Sequence, residues 1–103
     1  MAKYIFAFHS GPTPPKPEDM EGVMAKWMAW FGKMGDAVVD GGAPLGQSRT
    51  VAASNVSEGG GANPLSGYTI VQADDIDAAC EMAKGCPALA SGGSVEVGEC
   101  MPM

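Results

Sequence analysis

Apolar and polar positions alternate along residues 3–9, KYIFAFH, with the period of two that predicts a β-strand. The alternation gives the strand two sides, which carry Tyr4, Phe6 and Phe8 on one and Ile5, Ala7 and His9 on the other. Because both sides hold apolar residues, we expect both to be at least partly covered. This pattern favours a central strand of a sheet.

A helical period follows the proline-rich segment SGPTPPKP, whose prolines exclude a strand or a helix interior. Pro17 suits the first position of a helix, and Gly35 suits its end. The apolar residues between them fall on one side, and we expect that side to be buried. Its members are Met20, Val23, Met24, Trp27, Met28, Trp30, Phe31 and Met34.

Later strands are indicated by three further segments. Residues 36–54 predict two short extended pieces that glycines and Pro44 interrupt, and residues 55–66 predict a loop or hairpin tip. Residues 67–73, GYTIVQA, and residues 94–101 predict two more strands.

A second helix is predicted between the last two strands, with Asp74 as its N-cap and its end at Gly85 and Pro87. Its inner side would carry Ile76, Ala79, Cys80 and Ala83.

The order β-α-β-(β)-β-α-β over a single domain, residues 1–103, predicts an α+β ferredoxin-like fold. In that fold two helices cover one face of an antiparallel sheet. The other face would present apolar side chains, and no further layer of this chain remains to cover it. We therefore expect a homodimer in which the two sheets face each other.

Several motifs resemble the YCII-related family. They are GYTIVQADDIDAACEMAKGCPAL and GGSVEVGECMPM, together with the glycine-rich GDAVVDGGAPL after the first helix. The resemblance implies a dimeric α+β barrel with a cleft at or near the subunit interface. Some relatives act on small aromatic or chlorinated ring compounds, and some carry a His-Asp pair proposed as catalytic. The family's histidine lies close to the positions of Lys26 and Trp27 here, and SEGGGANPLSG replaces an Asp-Gly-Pro-Phe loop.

Charge and cysteine content narrow the possible partners. Twelve acidic and six basic residues give a net charge of −6, which disfavours binding to nucleic acid or anionic lipid. The three cysteines have no CxxC spacing, which favours a reducing compartment. No apolar run approaches a membrane span or a signal peptide. We expect a cytoplasmic protein without a cofactor, because nothing completes a metal site around the soft donors of CMPM.

The only histidine, His9, is the predicted catalytic base, because imidazole transfers protons near neutral pH. Asp40, the second predicted catalytic residue, and Glu96 are its candidate partners. The alternative is a strand-end histidine that binds the following loop through hydrogen bonds, and the sequence leaves both open.

Four residues are predicted to bind a ligand: Arg49, Ser48, Tyr68 and Gln72. Arg49 suits a carboxylate or phenolate through its planar guanidinium, or it pairs with a neighbouring acid. Tyr68 and Gln72 would share one strand face, as polar groups on a cleft wall or as interface packing.

Aromatic residues of the first helix, Trp27, Trp30 and Phe31, favour core over a ligand pocket. Cys80 is expected to be buried and Cys86 more exposed.

Two functions remain open at this point. The first is the binding or transformation of a small metabolite, aromatic ones included, in a cleft at the dimer interface. The second is a non-catalytic binding or accessory module. Fold alone does not decide between them.

Overall fold

The computed structural model describes residues 2–9, 17–59 and 64–101. The predicted proline-rich loop at 10–16 and the centre of the predicted 55–66 loop lie outside these residues. The strands are β1 (Ala2–His9), β2 (Val38–Pro44), β3 (Arg49–Val51), β4 (Val56–Glu58), β5 (Leu65–Ala73) and β6 (Ser94–Glu99). The helices are α1 (Met20–Met34) and α2 (Ile76–Ala83), and 3₁₀ turns occupy Pro17–Asp19, Gly35–Ala37 and Pro87–Ser91.

Four strands form one antiparallel sheet in the order β2-β5-β1-β6. Strand β1 therefore lies between β5 and β6, as its two apolar sides predict. The order and the two helices define the ferredoxin-like α+β fold, which confirms the predicted fold class. The short strands β3 and β4 pair only with each other, as a separate hairpin.

The core lies between the helices and one face of this sheet. Phe6, Phe8 and Val71 contribute from β1 and β5, and Trp30 and Ala79 contribute from the two helices. The Phe6 and Trp30 rings stack with centroids 6.0 Å apart. The Trp30 indole nitrogen donates a hydrogen bond of 3.0 Å to the Met82 carbonyl, which ties α1 to α2.

Helix α1 buries a narrower side than the sequence predicts. Met20, Met24 and Met28 were expected in the core, but they are 45%, 55% and 70% exposed. The apolar positions span an arc of roughly 160° at 3.6 residues per turn, whereas the flat sheet contacts only one end of that arc. Trp30 lies at the end of the arc that faces the sheet and is buried, Met28 lies at the opposite end, and Gly35 follows the helix with a φ of 54°.

Helix α2 begins one residue later than predicted. Its N-cap is Asp75, whose carboxylate accepts a hydrogen bond of 2.8 Å from the Ala78 amide, so the predicted N-cap Asp74 is wrong. Ile76 and Cys80 are exposed, because the side of α2 that packs on the core is formed by Ala79 and Ala83, with Ala78 and Met82 partly buried beside them.

The exposure of two cysteines is the reverse of the prediction. Cys80 is exposed, and Cys86 is buried at the turn that follows α2. Burial raises the pKa of the Cys86 thiol, and a backbone hydrogen bond with Ala88 opposes this in part.

Strand β2 runs through glycines that were expected to interrupt it. Gly42 has a φ of 71°, and a Cβ built on it would lie 1.7 Å from the Tyr68 carbonyl oxygen. The Asp40 carboxylate accepts a hydrogen bond of 2.8 Å from the Gly42 amide. These contacts form an irregularity that keeps β2 paired with β5.

Residues 56–58, predicted as part of a loop, form β4. Its partner β3 lies in the second of the extended pieces predicted for residues 36–54. A hydrogen bond from the Ala52 amide to the Asn55 carbonyl closes the turn between β3 and β4.

Candidate functional site

One face of the four-stranded sheet points away from the helices, and we call it the open face. Its side chains follow from the cross-strand register, because alternate residues share a face. Across the sheet the register aligns Glu96, Ala7, Tyr68 and Ala43 in one row and Gly98, Ile5, Ile70 and Asp40 in the next. The middle of the open face is therefore apolar and half-buried, and polar groups surround it.

The molecule measures 43 × 40 × 18 Å. A thickness of 18 Å accommodates a sheet and one layer of helices, with sheet and helices about 10 Å apart. The open face is thus the outer surface of a two-layer molecule.

His9 lies at one end of the open face and is only 6% exposed. An irregularity in the β1–β5 register puts it opposite Leu65 rather than the next residue in sequence. Its Nδ1 lies 3.2 Å from the Pro64 carbonyl oxygen, and its Nε2 lies 3.3 Å from a carboxylate oxygen of Glu96. The Ser66 hydroxyl donates to the Phe8 carbonyl and holds the backbone beside the ring.

The Pro64 contact fixes the tautomer of His9. A carbonyl oxygen only accepts hydrogen bonds, so Nδ1 carries the proton and donates it to Pro64. In the neutral ring Nε2 then holds the lone pair, and in the protonated ring Nε2 donates to Glu96. The Glu96 side chain is 76% exposed, so it is able to turn away from Nε2 when the ring is neutral.

Of the two predicted partners of His9, the structure brings Glu96 to it and leaves Asp40 elsewhere. Asp40 opposes Ile70 on the edge strand β2, and its carboxylate binds the Gly42 amide. Ile70 in turn opposes Ile5, four residues from His9 along β1, which corresponds to about 13 Å.

The predicted ligand residues Arg49 and Ser48 lie off the main sheet, at the start of the β3–β4 hairpin. Arg49 is exposed and opposes Glu58 in the register. Within the part of the chain that the structure describes, the ion pairs are His9–Glu96 and Glu81–Lys84, so Arg49 takes part in none. Ser48 is half-buried, and its carbonyl accepts from the Gly59 amide.

Tyr68 and Gln72 share the open face, as the alternation predicts. Tyr68 opposes Ala7 and lies in the same row as Glu96. The Gln72 amide donates to the Asp36 carbonyl at the far end of the sheet, opposite Lys3. The two residues are therefore on one surface but at different distances from His9.

The aromatic side chains of α1 lie on the other side of the sheet. Trp27 meets Phe8 edge to face with centroids 5.0 Å apart, and Trp30 is buried beneath it. These residues build the core.

No metal or membrane feature is found in residues 2–9, 17–59 and 64–101. No group of three or more His, Cys, Asp or Glu side chains there could hold a metal ion. No helix there is long and apolar enough to cross a bilayer.

Sequence reasoning identified His9 and weighed Glu96, but it missed Pro64 and Ser66. Pro64 binds through its own backbone carbonyl, and the Ser66 hydroxyl binds to a backbone carbonyl. The pattern of side chains along the sequence does not predict contacts of this kind. The irregularity at the end of β5 brings them to His9, and it appears only in the strand register.

The strand order and the single helical layer place the chain in the class of ferredoxin-like α+β subunits, from which dimeric α+β barrels are built. No family model and no curated protein matches the chain. A solved structure has a similar fold: the 5-chloro-2-hydroxyhydroquinone dehydrochlorinase TftG from Burkholderia phenoliruptrix AC1100, in complex with 2,5-dihydroxybenzoquinone. The two share 13% sequence identity over 98% of this chain and 94% of that chain, with a TM-score of 0.56.

Proposed function

We propose that this chain is a YCII-related protein that binds or transforms a small hydroxylated ring compound in a cleft between the open faces of two subunits. The motif resemblance supports the family, and the two-layer subunit with an uncovered sheet face supports the dimer. The ligand bound to TftG, whose fold is similar, supports the ligand class. His9 is the proposed catalytic residue, with Glu96 beside it.

One observation carries this proposal. His9 is buried, yet its Nε2 is directed toward the open face, where an exposed carboxylate is its neighbour. Nδ1 is already occupied by Pro64, which leaves Nε2 as the nitrogen that takes up a proton. An apolar surface next to this nitrogen suits a flat ring, and Tyr68 offers a hydroxyl along the same row.

The proposed chemistry is proton abstraction from a ring hydroxyl. The Nε2 lone pair takes the hydroxyl proton, the electron pair stays on the ring oxygen, and the imidazolium is stabilised by the Glu96 carboxylate. Asp40 was predicted as a second catalytic group. We assign Asp40 a role in holding β2 instead, because its carboxylate accepts a hydrogen bond from the Gly42 amide.

The test uses 4-nitrophenol as the probe, because its ring hydroxyl is still partly protonated near neutral pH and its absorbance reports its ionisation. We expect the native protein to bind it and shift its absorbance toward that of the anion. His9→Gln keeps a donor for Pro64 and removes the base, so it should bind the probe without that shift. Glu96→Gln should reduce the shift. Circular dichroism checks that both variants are folded, and a native protein that leaves the probe unbound contradicts the proposal.

A second candidate is a non-catalytic binding module. It is favoured by the fact that both ring nitrogens of His9 have partners within the chain, which also suits a purely structural histidine. Under this alternative the probe binds equally well to the native protein and to His9→Gln, with the same spectrum in both. Native mass spectrometry of gently purified protein would then identify the mass of a retained ligand.

A further inference from the structure

The β3–β4 hairpin, residues 49–58, is the part of the described chain that its own subunit supports least, and we call it the arm. Every residue of its two strands is exposed. It pairs with no strand of the main sheet. Two-stranded hairpins are marginal in water unless they pack on something else, and strands of three residues are short even for a hairpin. The arm is therefore expected to be stable only when it packs on a further surface.

One face of the arm has the composition of a contact surface. Val51 and Val56 oppose each other next to the turn and are 75% and 60% exposed. Arg49 and Glu58 oppose each other on the same face, at the root. The other face carries Thr50 and Ser57, which are polar. A pair of aliphatic side chains beside an unpaired arginine resembles the apolar centre and charged rim of an interface.

The root of the arm lies at the His9 end of the sheet. The Leu45 amide donates to the Ser66 carbonyl, and the neighbouring residue Leu65 opposes His9. The Gly59 amide donates to the Ser48 carbonyl and closes the root. From Arg49 to the turn the arm extends by about 13 Å at the rise of a β-strand.

The charges at this end complement each other. Arg49 is the only arginine in a chain of net charge −6, and it has no ion-pair partner in the part of its own chain that the structure describes. The Glu96 carboxylate beside His9 is 76% exposed, and among the residues that the structure describes its ion-pair partner is His9 alone. Every residue of the two arm strands is exposed, so the arm does not pack on its own open face. Arg49 of one copy and the Glu96 carboxylate of another therefore have complementary charges.

We infer that the arm docks on a second copy of this chain, with Val51 and Val56 on the partner's open face and Arg49 beside the partner's His9 and Glu96. This inference rests on the proposed function, because it assumes that the open faces of two copies meet. It requires the His9 ends of both sheets to lie at the same end of the dimer. Each cleft then contains a base from one subunit and an arginine from the other, which suits a ring compound that becomes an anion when it loses its proton.

Disulfide trapping tests the arrangement between copies. Two proteins are prepared in a Cys80→Ser, Cys100→Ser background, which keeps only the buried Cys86. One carries Arg49→Cys and the other carries Glu96→Cys. After mixing and mild oxidation, we expect a covalent heterodimer on a non-reducing gel. A matched mixture of Arg49→Cys with Lys3→Cys, at the opposite end of β1, should give at least ten-fold less. Each single variant oxidised alone shows the background from symmetric pairing.

The outcomes separate this inference from the proposed function. A dimer that binds the phenol probe but forms no 49–96 cross-link overturns the arm and leaves the function. A 49–96 cross-link in a protein that does not bind the probe supports the arm and overturns the function. A monomer overturns the arm, because no second copy receives it.

Substitution of the arm gives a second measurement. Val51→Asp puts a charge on its apolar face and should raise the dimer dissociation constant by at least ten-fold in analytical ultracentrifugation. Ser57→Asp puts the same charge on the polar face and should change it by less than three-fold. Equal effects of the two variants would contradict the inference.

Discussion

At the scale of single residues, the chemistry of His9 depends on a backbone carbonyl. Pro64 accepts from Nδ1 and so decides that Nε2 carries the lone pair in the neutral ring. The Glu96 carboxylate then forms a hydrogen bond only with the protonated ring, because the Nε2 lone pair of the neutral ring and a carboxylate oxygen are both acceptors. A histidine held in this way has a fixed direction of proton transfer, toward the open face.

The cysteines provide a prediction at the same scale. Cys80 is exposed, whereas burial raises the pKa of the Cys86 thiol and keeps it in the unreactive protonated form. We expect Cys80 to react with a thiol reagent at pH 8 at least 100-fold faster than Cys86, as followed by mass spectrometry of labelled peptides.

Urea is the control for this measurement, because unfolding should make the two cysteines react at similar rates. Fast labelling of Cys86 in the native protein would contradict its burial.

The raised pKa of the Cys86 thiol also makes the stability of the fold depend on pH. The folded protein keeps the thiol proton to a higher pH than the unfolded chain does. The contribution of Cys86 to the free energy of unfolding is therefore complete below the pKa of the thiol in the unfolded chain, and it is lost as the pH rises through the pKa of the thiol in the folded protein.

At the scale of elements, the irregularity in β2 depends on Gly42. Its φ of 71° and its approach to the Tyr68 carbonyl leave no room for a side chain. Gly42→Ala should lower the free energy of unfolding by more than about 2 kcal/mol.

The neighbouring glycine is a matched control for that substitution. A Cβ on Gly41 meets nothing within 4 Å, and Gly41 has no positive φ. Gly41→Ala should leave stability unchanged or raise it slightly. Urea denaturation of both variants measures the difference, and equal losses would show that β2 does not follow the described path.

The start of α2 gives a second prediction at this scale. Asp75→Ala removes the acceptor of the Ala78 amide and should cost about 1 kcal/mol in the free energy of unfolding. Asp74→Ala, one residue earlier and exposed, should cost less than about 0.5 kcal/mol. A larger loss for Asp74→Ala than for Asp75→Ala in thermal or urea unfolding would show that Asp74 is the N-cap.

The elements could largely be predicted from the sequence, and their finer features could not. The period of two in β1 and the helical period of α1 reflect burial on one side, which local pattern reports directly. Met28 was predicted wrongly because the pattern records which residues are apolar and not how wide an arc the sheet covers. Asp74 and Asp75 are both good N-caps, and only the geometry of the first turn chooses between them.

The site was predictable in part for a similar reason. His9 stands out because it is the only histidine, and Glu96 alternates onto the same face of a neighbouring strand. The separation of Asp40 from His9 follows from the strand order, in which β5 lies between β2 and β1, whereas β6 with Glu96 is the direct neighbour of β1. Local pattern contains no information on that order.

At the scale of the whole molecule, the uncovered sheet face predicts a subunit interface. Ile70 and Ile5 oppose each other at the centre of the open face and are half-buried in the single subunit. Ile70→Asp should convert a dimer to a monomer in size-exclusion chromatography with light scattering, because a charge would be buried without a partner.

Met28→Asp is the control, since it puts the same charge on an exposed helix surface and should leave the assembly unchanged. An Ile70→Asp protein that remains dimeric would show that the copies do not meet through this face. A native protein that is already monomeric would contradict the interface itself.

The central position of β1 has a consequence for how the chain reaches this structure. Strand β1 pairs with β5 and β6, which follow it in sequence only after more than half of the chain has been made. High contact order of this kind slows folding, and during synthesis both hydrogen-bonding edges of β1 remain unpaired until these late strands have been made. Until β5 and β6 emerge, the backbone edges of β1 are accessible to chaperones and to other nascent chains, so we expect the yield of folded protein to depend on the speed of translation.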